Sequence, residues 1–282
     1  MKMTDLKIIK KVFAKDKSIK YILGLSDEEC IEAVYIPLIG ETKFCISCQV
    51  GCINKCSPCA TGKDMDYIRD LCYEEIFLQV KTLAFDNNIC YNNCTVLFMG
   101  MGEPFFNYSN VIKSLQLFQD IGIPPENITI STSGIIPCIV ELSKLERRPK
   151  LAISLHATTN EQRNRVIPIN KVYPLNDLLN AAKEYTDTSG DEIIIQYTLI
   201  ERFNNTVDDL NRLVKCIENI KCELQIIPFN SFPSSNLIAP SKENVEFVIS
   251  YLQSKGVKIA LKQSSGNDVY AGCGQLGCKQ EL

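Results

Sequence analysis

The sequence predicts an α/β protein, a partial (β/α)6 barrel with a short N-terminal β extension, and two observations carry that reading. Apolar, β-branched runs of strand length alternate with longer amphipathic stretches, the pattern of a parallel sheet covered by helices. The chemically unusual residues cluster just after the strand runs, as they do where the C-terminal ends of parallel strands share one catalytic face.

In chain order, residues 1–20 hold seven lysines against Asp5 and Asp16, with Leu6, Ile9, Val12 and Phe13 at helical spacing. This predicts a basic helix, either an RNA-contacting surface or an ordinary solvated face. Runs at 21–25 and 32–36 add two antiparallel strands, so residues 1–40 form an extension ahead of a catalytic domain at 41–282. Barrel strands follow at 43–48, 95–99, 127–131, 150–155, 192–199 and 223–227. Helices are expected at 73–85, 108–121, 137–145, 174–186, 207–220 and 242–254, and a last strand at 257–261 closes one edge.

At 282 residues the chain can bury roughly three quarters of its unfolded surface in one large domain. No run approaches the roughly 20 apolar residues of a membrane span, and the Lys-rich start lacks the apolar core of a signal peptide. A cytoplasmic monomer without membrane contact is expected, its 14 cysteines reduced. A net charge of −3 and a pI near 5.5 argue against indiscriminate nucleic-acid binding but leave room for a local basic patch.

Cys52, Cys56 and Cys59 stand in Gly51-Cys-Ile-Asn-Lys-Cys-Ser-Pro-Cys-Ala-Thr-Gly62. Their C-x3-C-x2-C spacing lets one loop wrap a face of a 4Fe–4S cube and leaves the fourth iron open. An open iron can be chelated by the amino and carboxylate groups of a methionine moiety, which S-adenosylmethionine (SAM) supplies. A zinc knuckle or a Cys-Ser-Pro-Cys redox pair is the alternative, but the single histidine, His156, lies far along the chain.

One β/α unit later, Met99-Gly-Met-Gly-Glu-Pro104 offers Gly102 for close backbone approach and the Glu103 carboxylate for an ammonium group. Ser131, Ser154, Leu155, His156 and Asn230 also follow strand ends. They are candidates for the sulfonium, ribose and adenine edges, although each alone reads more readily as a loop or capping residue.

These motifs resemble the radical SAM RNA methyltransferases that modify an adenosine of 23S ribosomal RNA, the RlmN-type carbon-2 and Cfr-type carbon-8 enzymes. The match runs from about residue 20 to 276 and includes Glu32-Ala-Val-Tyr-Ile-Pro37, Gln49-Val-Gly-Cys52 with the cysteine loop, and Met99–Pro104. It continues through Ser131-Thr-Ser-Gly134, Ser154-Leu-His-Ala157, Val166-Ile-Pro-Ile-Asn170, Ile227-Pro-Phe-Asn230 and Cys273-Gly-Gln-Leu276.

The resemblance implies a barrel of the radical SAM type, one 4Fe–4S cluster and two SAM molecules per turnover. It also implies an RNA substrate and a flavodoxin-type electron donor. One SAM would methylate Cys273, and the other would generate the radical that activates the S-methyl group for addition to the base. Glu32 would then serve as base, and Cys45 would resolve the adduct by forming a transient disulfide with Cys273.

Some positions depart from the family pattern. Lys262, Ser265 and Tyr270 stand where arginine, arginine and aspartate are common, and Gln196 stands where glutamate is usual. Pro58 replaces an aromatic, and Cys48 replaces a serine. Cys45 and Cys48 thereby form a Cys-Ile-Ser-Cys pair open to a thioredoxin-like reading, and Cys278 adds another tail thiol. The family's preceding helical domain and longer basic tail are expected to be missing. Carbon 2 is favoured over carbon 8, while ribosomal RNA, transfer RNA and a non-RNA substrate stay open, as does a non-methylating iron–sulfur redox protein.

Overall fold

The structure, a computed structural model, describes residues 6–277; Cys278 lies outside them. It opens with four strands, β1 (Lys7–Phe13), β2 (Ile19–Gly24), β3 (Cys30–Leu38) and β4 (Glu41–Ile46), each antiparallel to the one before. Then come β5 (Gln49–Val50), α1 (Ala60–Asp64), β6 (Arg69–Asp70) and α2 (Tyr73–Asp86). The alternating part runs β7 (Cys94–Phe98), α3 (Tyr108–Asp120), β8 (Ile128–Thr132), α4 (Ile136–Ser143), β9 (Lys150–Ser154), α5 (Asn160–Val166), α6 (Leu175–Ser189) and β10 (Ile193–Leu199). It ends with α7 (Val207–Ile217), β11 (Cys222–Pro228), α8 (Lys242–Ser254) and β12 (Ile259–Leu261).

Ten strands make one sheet in the order β1-β2-β3-β4-β7-β8-β9-β10-β11-β12, parallel from β4 onward. Sequential neighbours joined by helices are what short right-handed β/α crossovers produce. The expected β/α alternation is present, and so is the antiparallel addition. β5 and β6 pair separately as a small ribbon.

Among the described residues of the stretch 1–20, the expected basic helix is not formed. Residues 7–13 are the edge strand β1, paired with β2 across a turn in which Lys17 takes φ 70° and the Ser18 amide donates to Asp16. Ile8, Ile9 and Val12 are β-branched, and sheet pairing satisfies a backbone that a short, lysine-rich helix would have to hold alone. The helical spacing of Leu6, Ile9, Val12 and Phe13 dissolves at a register shift between Ile8 and Lys10, and Ile9 and Phe13 stay exposed. Lys11 instead reaches Asp86, which also accepts from the Tyr21 hydroxyl at 2.6 Å, tying the edge strands to α2.

Local signals explain the helix limits. α2 starts in a capping box between Cys72 and Glu75, α7 in one between Thr206 and Asp209, and α6 stops at Gly190 with φ 74°. The helices bury one face against the sheet, where Phe44, Val96, Ile130, Ile153, Ile195 and Ile226 form the main core. A second apolar cluster, including Ala60, Ala157, Ile200, Phe229 and Phe232, lies beside the cysteine loop. It gives that loop a packed floor. No described helix is long and apolar enough to cross a membrane.

Candidate active site

Parallel strands deliver their C-terminal loops to one end of the sheet, and there the structure opens a cavity of about 990 Å³ including its mouth. Cys52, Cys56, Cys59, Gly102, Glu103, Ser131, Ser154, His156, Asn230 and Cys273 all line it. Residues separated by 221 positions, from Cys52 to Cys273, therefore share one space. Three of the expected site residues do not line it. Leu155 is buried behind the wall, its amide donating to Gln196 O and its carbonyl accepting from Arg163. Cys45 lies on β4, one strand beyond β7 in the sheet, and Glu32 on β3, two strands beyond it.

The Glu103 carboxylate is buried. It accepts from the Ser133 amide at 2.8 Å, the Ser133 hydroxyl at 2.7 Å and the Phe105 amide at 3.1 Å, and no cation is among these donors. Burial pushes its pKa up despite those bonds from Ser133, and none of these donors carries a charge to offset it. Gly102 has φ 100°, and a Cβ there would come within 2.6 Å of Gln49. That glycine lets the loop turn tightly enough to aim Glu103 inward.

His156 itself takes φ 58°, an uncommon conformation that turns its ring beneath the cavity. Its Nδ1 accepts from the Thr198 amide at 3.0 Å, which leaves Nε2 carrying the proton as a donor. Burial first, then the Arg163 charge, lowers its pKa to about 3. It is a neutral imidazole at working pH. The Ser131 hydroxyl donates to Gln196, while the Asn230 amide nitrogen donates to Ser264 and to Cys273 O at 3.0 Å. Asn230, expected on the cofactor, thus also fastens the tail.

The tail is docked on the cysteine loop. The Ala60 amide donates to Gly274 O at 2.7 Å, and the Thr61 hydroxyl donates to Leu276 O at 2.6 Å. Gly274 has φ 78°, and a Cβ there would lie 2.7 Å from Pro58 O, so only glycine fits between tail and loop. The Cys45 thiol is pushed up to about 12 by burial and by the neighbouring Cys273 thiol, with Lys262 opposing. The two thiols are close enough to feel each other electrostatically and both are free, so the disulfide that the resemblance implies is not formed in this structure.

Cys48 does not pair with Cys45. Its thiol is buried, donates to Met101 O and feels Glu103 and Cys52, which removes the basis for a thioredoxin-like Cys-Ile-Ser-Cys reading. Glu32 is held by Lys20 at 3.3 Å and accepts from the Gly277 amide at 2.8 Å.

Arg163 escapes a reading based on motifs. Fully buried, it donates to Leu155 O, Ser133 O and Ser154 O and to Asn170, so one guanidinium braces three site loops. Burial lowers its pKa to about 10, and Cys56 opposes that shift. The signal that could have found it is Thr159 followed by Gln162, an N-cap pattern whose hydroxyl accepts from the Gln162 amide at the start of α5.

No family model matches the chain. It is 39% identical over 280 residues to a protein of Pseudothermotoga lettingae named "probable dual-specificity RNA methyltransferase RlmN", spanning 98% of this chain and 80% of that one. It is 36% identical to the dual-specificity RNA methyltransferase RlmN of Nitratiruptor sp., spanning 97% and 82%. The chain belongs to the RlmN family of RNA methyltransferases. A crystal structure of a radical SAM methyltransferase from Sphaerobacter thermophilus superposes with a TM-score of 0.93 at 31% identity, covering 98% of this chain and 82% of that one.

Membership in this radical SAM family implies a 4Fe–4S cluster and SAM, and the RlmN-type site fits both. Burial drives the Cys52 thiol up to about 12 and raises those of Cys56 and Cys59. They ionise only against strongly bound metal. Among the described residues no three Cys, His, Asp or Glu side chains converge as a single ion would need. Sulfurs spaced along one loop suit the separate irons of a cube better than a zinc ion. An ammonium group would meet the charge deficit at Glu103.

Proposed function

We propose that this protein methylates an adenosine ring carbon in RNA, carbon 2 before carbon 8, through a methyl group carried on Cys273. The single observation that carries the reading is the shared cavity. The three-cysteine loop, a Glu103 carboxylate bonded by neutral donors and the Cys273 thiol face one space, and Cys45 lies within electrostatic reach of Cys273. The relatives' printed activity, RNA methylation, supports the substrate class.

Cys52, Cys56 and Cys59 would hold the cluster, and Glu103, with neutral donors such as His156 Nε2, would orient SAM. Bound there, they supply a one-electron cleavage of the sulfonium that yields a radical able to activate an S-methyl group. An adenine ring carbon is too weak a nucleophile to displace a sulfonium methyl directly, so the chain delivers the carbon as a thioether on Cys273. Once that carbon is bonded to the base, Glu32 takes the ring proton and the adduct radical gives up one electron, for which the oxidised cluster would be the acceptor. The Cys45 thiol then attacks Cys273 Sγ as it loses its proton: the S–S bond forms, the S–C bond breaks, and the departing carbon keeps the electron pair and takes up a proton to become methyl. An external thiol or dithiol reductant reopens the disulfide.

Two SAM molecules are consumed per methyl delivered, one giving the methyl and one the radical. A flavodoxin-type protein is the expected electron donor, and 23S ribosomal RNA or transfer RNA the expected substrate. The base must be unstacked to enter the cavity. A net charge of −3 favours keeping a non-RNA substrate as a second reading.

Anaerobic reconstitution with iron, sulfide, reductant and SAM, followed by mass spectrometry, tests the scheme. Cys273 gains a methyl group, and incubated RNA yields methyladenosine. An unmodified Cys273 alongside intact SAM cleavage overturns the proposal, and methyl-Cys273 without a methylated nucleoside moves it to the second reading. Cys45→Ala is expected to trap a covalent protein–RNA adduct, and clean product release from it would remove the role given to Cys45.

A further inference from the structure

The segment that carries Cys273 is held from a direction the reaction does not require. Besides the cysteine loop on one side, the N-terminal β hairpin grips it on the other. The β1–β2 turn supplies two bonds, the Gly266 amide donating to Asp16 at 2.8 Å and the Lys15 amide donating to Asp268 at 3.1 Å. From β2, the Lys20 ammonium donates to Tyr270 O at 3.5 Å and pairs with Glu32 at 3.3 Å. The second Glu32 oxygen accepts from the Gly277 amide at 2.8 Å.

Lys20 is 1% exposed, the position of a group whose charge is committed to partners. A surface lysine would be free to move, but this one links the segment before Cys273 at Tyr270 to the segment after it at Gly277, through Glu32. Residues 271–276 are the span left between the two anchors. Its Ala271 amide donates back to Gly266 O, the Gly272 amide to the Gln275 side chain and the Gln275 amide to Gly272 O. Its other bonds run to the cysteine loop, Asn230, Ser231 and Ser264, so the hairpin holds the span at its ends.

We propose that Lys20 and Asp16 are positioning residues that clamp both ends of the Cys273 segment and so set how far that thiol can travel between cofactor, Cys45 and substrate. The clamp rests on the reading of Cys273 as the methyl carrier only for its purpose, since the grip itself is a property of the fold. It also joins the two edges of the open sheet: the hairpin beside β3 holds the chain that leaves β12. Lys20 touches no reacting atom and acts through Glu32 and the tail backbone.

Hydrogen–deuterium exchange on the cluster-reconstituted protein, wild type against Lys20→Met and Asp16→Ala, tests the clamp. The amides of 271–276 report it, because neither substitution removes an acceptor from them. Loss of either anchor is expected to speed their exchange by about tenfold or more, while the strand amides of β8 and β10 stay as in wild type. Methyl transfer to Cys273 should slow by about tenfold or more, with SAM affinity within about twofold, as misplacement of a reacting group by an ångström would produce.

Asp16 is exposed, so Asp16→Ala gives a folded variant even if Lys20→Met does not. Unchanged exchange at 271–276 in a folded variant overturns the clamp, as does faster exchange that extends equally to β8 and β10. Failure of Cys273 to become methylated in the wild type bears on the methyl-carrier reading alone, since the exchange measurement needs no turnover.

Discussion

The Thr198 amide decides the chemistry of His156. By donating to Nδ1 it fixes the Nε2–H tautomer, and burial with Arg163 nearby keeps the ring neutral down to about pH 3. SAM binding should therefore show no inflection near 6.5, the usual histidine value, in a titration from pH 8 to pH 5. Folding stability responds in the opposite region of the equilibrium. Below 6.5 the unfolded chain takes up a proton that the folded chain refuses, so stability falls as pH drops and recovers as it rises. From pH 7 to pH 5 this one group should cost about 2 kcal/mol, seen in urea unfolding as the part of the pH dependence that His156→Asn removes. Gly274 gives a second residue-scale test. Gly274→Ala forces a side chain against Pro58 O at a left-handed φ, adding strain of about 1–3 kcal/mol to the docked tail. Methylation of Cys273 should slow at least about tenfold while the thermal midpoint barely moves, measured by timed mass spectrometry and calorimetry.

Elements with strong periodicity were legible from the chain. The helix expected at 242–254 is α8, and those expected at 73–85 and 108–121 differ from α2 and α3 by one residue at the C-terminal end. Such helices bury one stripe against a sheet, and that stripe is written into the sequence. β1 was not legible, because its apolar spacing suits a helix and only pairing with β2 settles the matter. α5 was missed for another reason. Its seven residues include only one apolar side chain, Val166, so its identity rests on the Thr159 cap and on Arg163 reaching the strand ends. Thr159→Ala should cost about 1 kcal/mol in urea unfolding by loss of that cap. Arg163→Lys should cost about 2 kcal/mol, since an ammonium cannot bond four acceptors at once, and it should lower the iron retained after desalting, because the Ser133 and Ser154 loops lose their brace.

Across the molecule, several charges are committed to partners rather than arrayed as an RNA-binding face. Lys11 meets Asp86, Arg69 meets Asp27 and Glu75, and Arg148 meets Asp191. With a net charge of −3, phosphate contacts should be few. Affinity for an RNA fragment plotted against salt should have a log–log slope of magnitude below about 4, and a steeper slope in filter binding would reveal a basic face that the charge balance hides. The C-x3-C-x2-C loop, the Gly-Glu-Pro turn and the β/α alternation belong to the sequence by itself, because ligand spacing on a single loop and apolar periodicity are local properties. Two further facts came only from the folded chain: that the Cys273 tail docks on the cysteine loop through Ala60 and Thr61, and that Lys20 and Glu32 hold its segment. Each joins residues far apart along the chain, and such contacts are set by strand order and register, which no local stretch encodes.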